Sequence, residues 1–305
     1  MTNKQKWKKI KFFIFIIIII LAYIYLPEEQ KKEKDTTTQK KMLETPVVLN
    51  TDSKLKIYFI DVGQADSILI ANNNKYMLID AGNNEDGPKL VSYFKNMGIE
   101  KFEYVIGTHA HEDHIGGLDD IINNFEISNF YMPDAVTTTK TFEDVIEALE
   151  NKNLAFKVPE IDKNIKFEDS SINILYSGTD QTNLNDTSII IKLYYGNTSY
   201  LFMGDAPSSV EREIIDKDIK SDVLKVGHHG SKYSTSAIFL SKVKPKFAVI
   251  SVGKNNIYNH PQDITLNKLQ KIGAKIYRTD EDGTIILNSD GKDISFETIN
   301  TDTNG

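Results

Sequence analysis

Apolar and polar positions along the chain fall into three regimes. Residues Phe12 to Leu26 form an unbroken apolar run, preceded by Lys4, Lys6, Lys8, Lys9 and Lys11. The run is shorter than the roughly 20 residues of a usual membrane span. Trp7 and Ile10 extend it if Lys11 snorkels to the interface. Leu21-Ala22-Tyr23-Ile24-Tyr25-Leu26 offers no small-x-small cleavage site, so residues 1–26 are expected to be an uncleaved transmembrane signal anchor. The basic flank would then lie in the cytoplasm, with the remainder extracellular on a single-pass anchor in the cell membrane. Residues 27–53 are polar and of mixed charge, with little to bury, and read as a flexible stalk.

From Lys54 onward the pattern alternates between period two and period 3.6. Strands are predicted at Lys54–Asp61, Ser67–Ala71, Lys75–Asp80, Phe102–Gly107, Ile172–Tyr176, Ser188–Tyr195, Ser199–Met203, Val223–Val226, Phe247–Val252, Lys275–Arg278 and Thr284–Leu287. Helices are predicted at Lys89–Met97, Ile115–Asn123, Thr141–Asn151, Ser208–Asp216 and Ile264–Ile272. Many strands with interspersed helices indicate a layered α/β domain. A composition of 40% hydrophobic and 26% charged residues supports a sizeable core.

Charge is unevenly distributed. Residues 1–53 carry a net +4 and the rest −11, within a chain total of −7. An acidic folded region argues against broad binding to a phosphate backbone, though not against a phosphodiester held by metal ions. Cysteine is absent, which excludes disulfides, a thiol nucleophile and a lipidated-cysteine anchor. No Gly-x-Ser-x-Gly elbow is present either.

The six histidines occupy three short clusters: His109, His111 and His114; His228 and His229; and His260. Imidazole is a common ligand for zinc and similar ions. His109-x-His111-x-Asp113-His114 places four candidate ligands within six residues, directly after a predicted strand. No regular helix or strand points all four at one place, so the segment is expected to be a loop wrapped around metal. Two ions served by alternate members would satisfy it.

These residues carry a resemblance. The first cluster is similar to the metal-binding signature of the metallo-β-lactamase superfamily. Phe59-Ile-Asp61-Val-Gly63-Gln64-Ala-Asp66, Leu201-Phe-Met-Gly204-Asp205, Leu224-Lys-Val-Gly-His228-His229-Gly230-Ser231 and Asn256-Ile-Tyr258-Asn259-His260-Pro261 follow in order. Together they resemble the hydrolase domain attached to ComEC-type competence DNA-uptake channels, and its free-standing relatives. The likeness covers about residues 54–298 and leaves residues 299–305 as a tail. It implies an αβ/βα sandwich with the metals at one edge of the sheets. One departure is Ala65, where the family usually has glycine.

By that resemblance, His109 and His111 bind the first metal and Asp113 and His114 the second. Asp205 bridges both ions, and His228 completes the second site in preference to His229, which supports a ligand or touches substrate. The superfamily's further histidine for the first metal is missing, since no histidine lies between His114 and His228. The matching stretch holds Asn185 and Asp186, either of which could donate oxygen, and such a site tolerates manganese as well as zinc. His260 is a candidate acid for the leaving oxygen, beside a structural alternative in its turn. Ser231, Lys232 and Tyr233 could line the substrate edge, while Arg278 reads as half of a surface ion pair. Asp61 and Asp80 read as supporting or turn residues.

The implied protein is a metal-dependent hydrolase with two divalent ions, and a phosphodiesterase or nuclease using a metal-bridging hydroxide. DNA is a candidate substrate, and no protein partner is indicated. The alternatives are a hydrolase of other esters, such as phosphorylcholine esters or lactones, and a non-catalytic accessory protein with a degenerate site.

Overall fold

The computed structural model describes residues 55–179 and 182–299. The expected anchor at 1–26, the stalk at 27–53 and most of the 299–305 tail lie outside the described residues. Among the described residues, no helix is long and apolar enough to cross a membrane. The expected transmembrane helix, with a catalytic domain held outside the cell membrane, therefore has nothing in the structure to carry it. That placement is withdrawn.

Among the described residues, period-two alternation builds two large sheets, beside a two-stranded pair of β4 (Lys101–Phe102) and β6 (Glu126–Ile127). The first has the order β17-β16-β1-β2-β3-β5-β7-β8. Its members are β1 (Leu55–Phe59), β2 (Ser67–Asn72), β3 (Lys75–Ala81), β5 (Tyr104–Ile106), β7 (Phe130–Tyr131), β8 (Phe156–Lys157), β16 (Thr284–Ser289) and β17 (Ile294–Ile299). The second has the order β15-β14-β13-β12-β11-β10-β9. It contains β9 (Asn164–Phe167), β10 (Ser170–Tyr176), β11 (Ile190–Tyr195), β12 (Thr198–Phe202), β13 (Val223–Lys225), β14 (Phe247–Ile250) and β15 (Lys275–Arg278).

Alternate residues of the two sheets meet in one apolar layer. Leu55, Ile57 and Phe59 of β1, Ile68 and Ile70 of β2, and Ile285 and Leu287 of β16 pack with Ile191, Leu193, Phe202, Val223 and Val249 of the second sheet. The intervening residues of that sheet, including Ile190, Leu201, Leu224, Ala248 and Ile250, face outward. They are covered by Val210, Phe239, Leu240 and Leu269 from α5 (Ser208–Glu213), α6 (Ala237–Val243) and α7 (Asp263–Lys271). On the first sheet, α1 (Gly87–Asn96) and α3 (Leu118–Asn124) join through Phe94, which meets Phe125 edge-on. Helices on both outer faces of a sheet pair make an αβ/βα sandwich, as expected. Truncating one of these enclosed side chains, as in Leu193→Ala, removes about 2–5 kcal/mol.

Three departures have local causes. The helix expected at Ile115–Asn123 is two helices, α2 (Glu112–Ile115) and α3, separated by Gly116-Gly117. A Cβ at Gly116 would lie 2.3 Å from backbone of Asn83 and Asn84, and one at Gly117 2.5 Å from the Ala81 carbonyl. The paired glycines let the histidine loop press against the end of β3. Strand β17 is absent from the expected set because it covers an edge and is only half-buried, so its alternation is weak. Short parallel strands β7 and β8 carry too few residues to show a period.

Candidate metal centre

Strands β3 and β5 run parallel in the first sheet, as do β12, β13 and β14 in the second. Each is followed by a segment carrying histidine or carboxylate, and C-terminal strand ends are where open sheets place their sites. Strand β3 delivers Asp80. Beyond β5 come Thr108, His109 and His111, then α2 with Asp113 and His114. Strand β12 leads to Asp205, and β13 leads to His228 and His229. These last two adopt successive left-handed conformations, φ 52° and 51°, each costing on the order of 1 kcal/mol in a residue with a Cβ. The bend sends the two rings in different directions.

Asp113, His114, Asp205 and His229 each bring a ligand atom within 4.8 Å of the others. His114 Nε2 lies 3.3 Å from Asp205 Oδ1 and 4.0 Å from Asp113 Oδ2. His229 Nε2 lies 3.3 Å from Asp113 Oδ2 and 3.7 Å from Asp205 Oδ2. Both rings are anchored at the far nitrogen. His114 Nδ1 donates to Asp80 Oδ2 at 2.7 Å, while Thr108 donates its N–H and hydroxyl to the same carboxylate, each at 2.7 Å. His229 Nδ1 donates to the Ser251 carbonyl at 2.9 Å. A carbonyl can only accept, so the Nδ1 proton is assigned and Nε2 is left with its lone pair inward.

Asp205 Oδ1 and His114 Nε2 are buried without a hydrogen-bond partner. Buried polar atoms in native proteins rarely stay unpaired. A divalent cation among these four side chains satisfies both atoms, so the residues present fit a metal. Electrostatics agree. Burial alone would raise Asp205, yet His114 and His229 outweigh it and hold its pKa well below the carboxylate range. Burial alone would lower His114, yet Asp205, Asp80 and Asp113 hold it well above the usual imidazole value.

A second group lies alongside. His109 Nε2 and His111 Nδ1 face each other at 3.0 Å, close enough for both to reach one ion at zinc–nitrogen distances of roughly 2.0–2.1 Å. Burial, with the neighbouring His114, pushes His109 well below its ordinary pKa. Of the two oxygen donors considered from sequence, Asp186 accepts from Asn183 Nδ2 at 2.8 Å. Asn185 instead turns its amide towards His228 Nδ1, at 3.5 Å, with its Oδ1 buried and unpartnered.

Two residues weighed from sequence sit differently from the four-residue group. The four-residue group takes His229, whereas the sequence favours His228. His228 sits 3.7 Å from Asp205 Oδ2 but leans towards Asn185 and His260, because consecutive residues in the left-handed turn diverge. His260, the candidate acid, lies outside the four-residue group. Burial, with His228 and His229 adding to it, pushes its pKa down to about 4, so the ring is neutral near pH 7. Its ring stacks on Tyr258 and meets His228 edge-on.

Asp61 serves its turn, accepting from the Gly63 N–H. Ala65 is fully buried in that same turn. Arg278 pairs with Asp280 and Glu281 at 2.6 and 2.7 Å, as a surface strand-end residue should. Tyr233 is exposed with Lys232 over its ring. Sequence reasoning passes over Thr108, Ser251 and Lys225. The one available signal is a lysine inside the otherwise apolar Val223-Leu224-Lys225-Val226.

The metallo-beta-lactamase superfamily model matches residues 60–254. The chain belongs to this superfamily. As a metallo-beta-lactamase-fold protein it is also similar to competence proteins. It is 30% identical over 254 residues to ComE operon protein 3 of Bacillus subtilis, an alignment covering 76% of this chain and 33% of the relative. It is 26% identical to competence protein ComA of Neisseria gonorrhoeae, over 74% of this chain and 31% of that one. The chain thus spans about a third of the length of these relatives. Among solved structures, the fold is shared with Igni18, a metallo hydrolase from Ignicoccus hospitalis (TM-score 0.52, 16% identity, 77% of this chain and 99% of that one). It is also shared with the metallo-beta-lactamase fold protein YhfI of Bacillus subtilis (TM-score 0.53, 11% identity, 80% of this chain and 100% of that one).

Proposed function

We propose that this protein is a metal-dependent phosphodiesterase, acting on a nucleic-acid strand or another phosphodiester with two divalent cations, zinc or manganese. The observation that carries the reading is the convergence of Asp113, His114, Asp205 and His229 around buried, unpartnered ligand atoms. Similarity to competence proteins supports a phosphodiester over other esters.

Asp113, His114, Asp205 and His229 would hold one cation, and His109 and His111, with Asn185, the other. Cations bound there would activate a water near neutral pH and offset charge developing on phosphoryl oxygens. Asp80 and Ser251 keep His114 and His229 in the tautomers that leave Nε2 free. His228, partly accessible beside Asp205, and His260 next to it are placed to donate hydrogen bonds to a bound phosphoryl group. No side chain is required as nucleophile.

The net −11 of residues 54–305 favours a second reading, a small or polymer-linked ester in place of a long polyanion. One comparison separates the two. The full chain, loaded with zinc or manganese, is assayed on a bis-aryl phosphate, single-stranded DNA and a phosphorylcholine ester. Metal-dependent cleavage of the first two supports the proposal. Activity on phosphorylcholine ester alone moves the assignment to the second reading, and no activity on any of the three leaves the accessory role.

A further inference from the structure

Lys225 closes β13 on the same face as Val223, so its side chain enters the layer between the sheets. There its ammonium lies 2.7 Å from Asp66 Oδ2, with side-chain exposures of 0% and 1%. Its other contact is a hydrogen bond to the Val226 carbonyl at 3.1 Å. Enclosed ion pairs are poor stabilisers, because desolvation offsets most of the attraction. A pair in this position calls for another explanation.

The free oxygen of Asp66 supplies one. Asp66 Oδ1 has no hydrogen-bond partner and lies 3.5 Å from His229 Nδ1, the nitrogen already bound to Ser251. The Asp66 backbone N–H also donates to the Asp113 carbonyl at 3.0 Å. Asp66 thus touches two of the four ligand-bearing residues from behind. Asp80 stands in the same relation to His114, but neutral donors from Thr108 hold it, whereas a cation holds Asp66.

We propose that Lys225 is a positioning residue for the metal centre. It clamps Asp66 behind His229 and the Asp113 loop, so that His229 Nε2 and the Asp113 carboxylate face the cation. It also cancels the charge of a carboxylate that would otherwise compete for that cation, since Asp66, Asp80 and His114 form a second converging group. The inference rests on the metal-centre reading above.

The test uses the full-length chain and zinc alone, with affinity read by competition against a chromogenic chelator and folding by thermal melts. Lys225→Met is expected to weaken the tighter zinc site by roughly 10–100-fold, and Lys225→Arg to restore most of it. Lys192→Met provides the stability control: Lys192 is another buried lysine, paired with Asp218 at 3.0 Å on the outer face of the second sheet. It is expected to lower the melting temperature and leave zinc affinity unchanged. Should Lys225→Met fail to fold, the double variant K225M/D66N leaves no unpaired ion in the core. It is expected to recover stability and not affinity. Wild-type zinc affinity in folded Lys225→Met or in the double variant would overturn the proposal, as would an equal loss in Lys192→Met. A wild-type chain that binds no zinc would instead overturn the metal-centre reading together with this one.

Discussion

The two halves of the metal centre are built to different standards. On one side, His114 and His229 each have Nδ1 tied to a buried acceptor, and two carboxylates complete the group. On the other, His109 Nε2 and His111 Nδ1 face each other at 3.0 Å, and neither belongs to the carboxylate-bearing group that holds His114 and His229. A ring locked at its far nitrogen loses little freedom on binding a metal and is the more basic for it. On the proposed reading, the first half is the preorganised, tighter site and the second the weaker one.

The largest break in this comparison is Asp205→Ala. It removes the carboxylate shared by His114 and His229, and phosphodiester hydrolysis should fall to background with loss of the tight ion in metal analysis. Next is Asp80→Asn, which weakens the acceptor behind His114. Tight-site affinity should drop roughly 10–100-fold, readable by chelator competition, with the His109–His111 half little changed. His111→Ala does the reverse. Bound metal should fall from two ions per chain to one while the tight ion stays, and activity should be largely lost.

Acidity separates the halves more gently. In the metal-free protein, Asp205, Asp80 and Asp113 hold His114 above its ordinary pKa against the effect of burial, and Asp205 with Asp113 does the same for His229. Their folded pKa values are raised, so their protonation stabilises the metal-free chain below about pH 6.5, the unfolded value, and that contribution fades as pH rises through the folded values. A cation must displace those protons, so tight-site affinity should weaken as pH falls. His109 and His111 are instead pushed down by burial, so their half should lose less. Zinc titrations at pH 6 and pH 7.5 measure the difference. The smallest effect on the metal centre is expected from Arg278→Ala, which removes a half-buried pair with Asp280 and a more exposed one with Glu281. Its stability change should stay under about 1 kcal/mol by thermal melt, with activity unchanged.

Much of the centre is legible in the linear pattern because the first histidine cluster is local. Four candidate ligands fall within six residues, two before α2 and two, Asp113 and His114, on it. The layered fold is legible in the alternation of strand and helix patterns, whereas the break at Gly116-Gly117 is not, because the helical pattern runs through it. What is lost is whatever depends on direction. His228 and His229 are adjacent and chemically identical, and a left-handed bend decides which ring meets Asp113. Asn185 and Asp186 differ by one position along a short turn, and Asn183 claims the latter. The lowered pKa of His260 was not legible either, because it comes from the burial and neighbouring rings that folding provides.

Residue types and their spacing were enough to establish the superfamily, the sandwich and the metal-binding chemistry, since ligand identity and hydrophobic period are written into consecutive positions. The division into a tight and a weak half was not. It depends on Asp66, Asp80, Ser251 and Lys225, which lie far from the histidines in sequence and reach them only once parallel strands from both sheets end at the same edge.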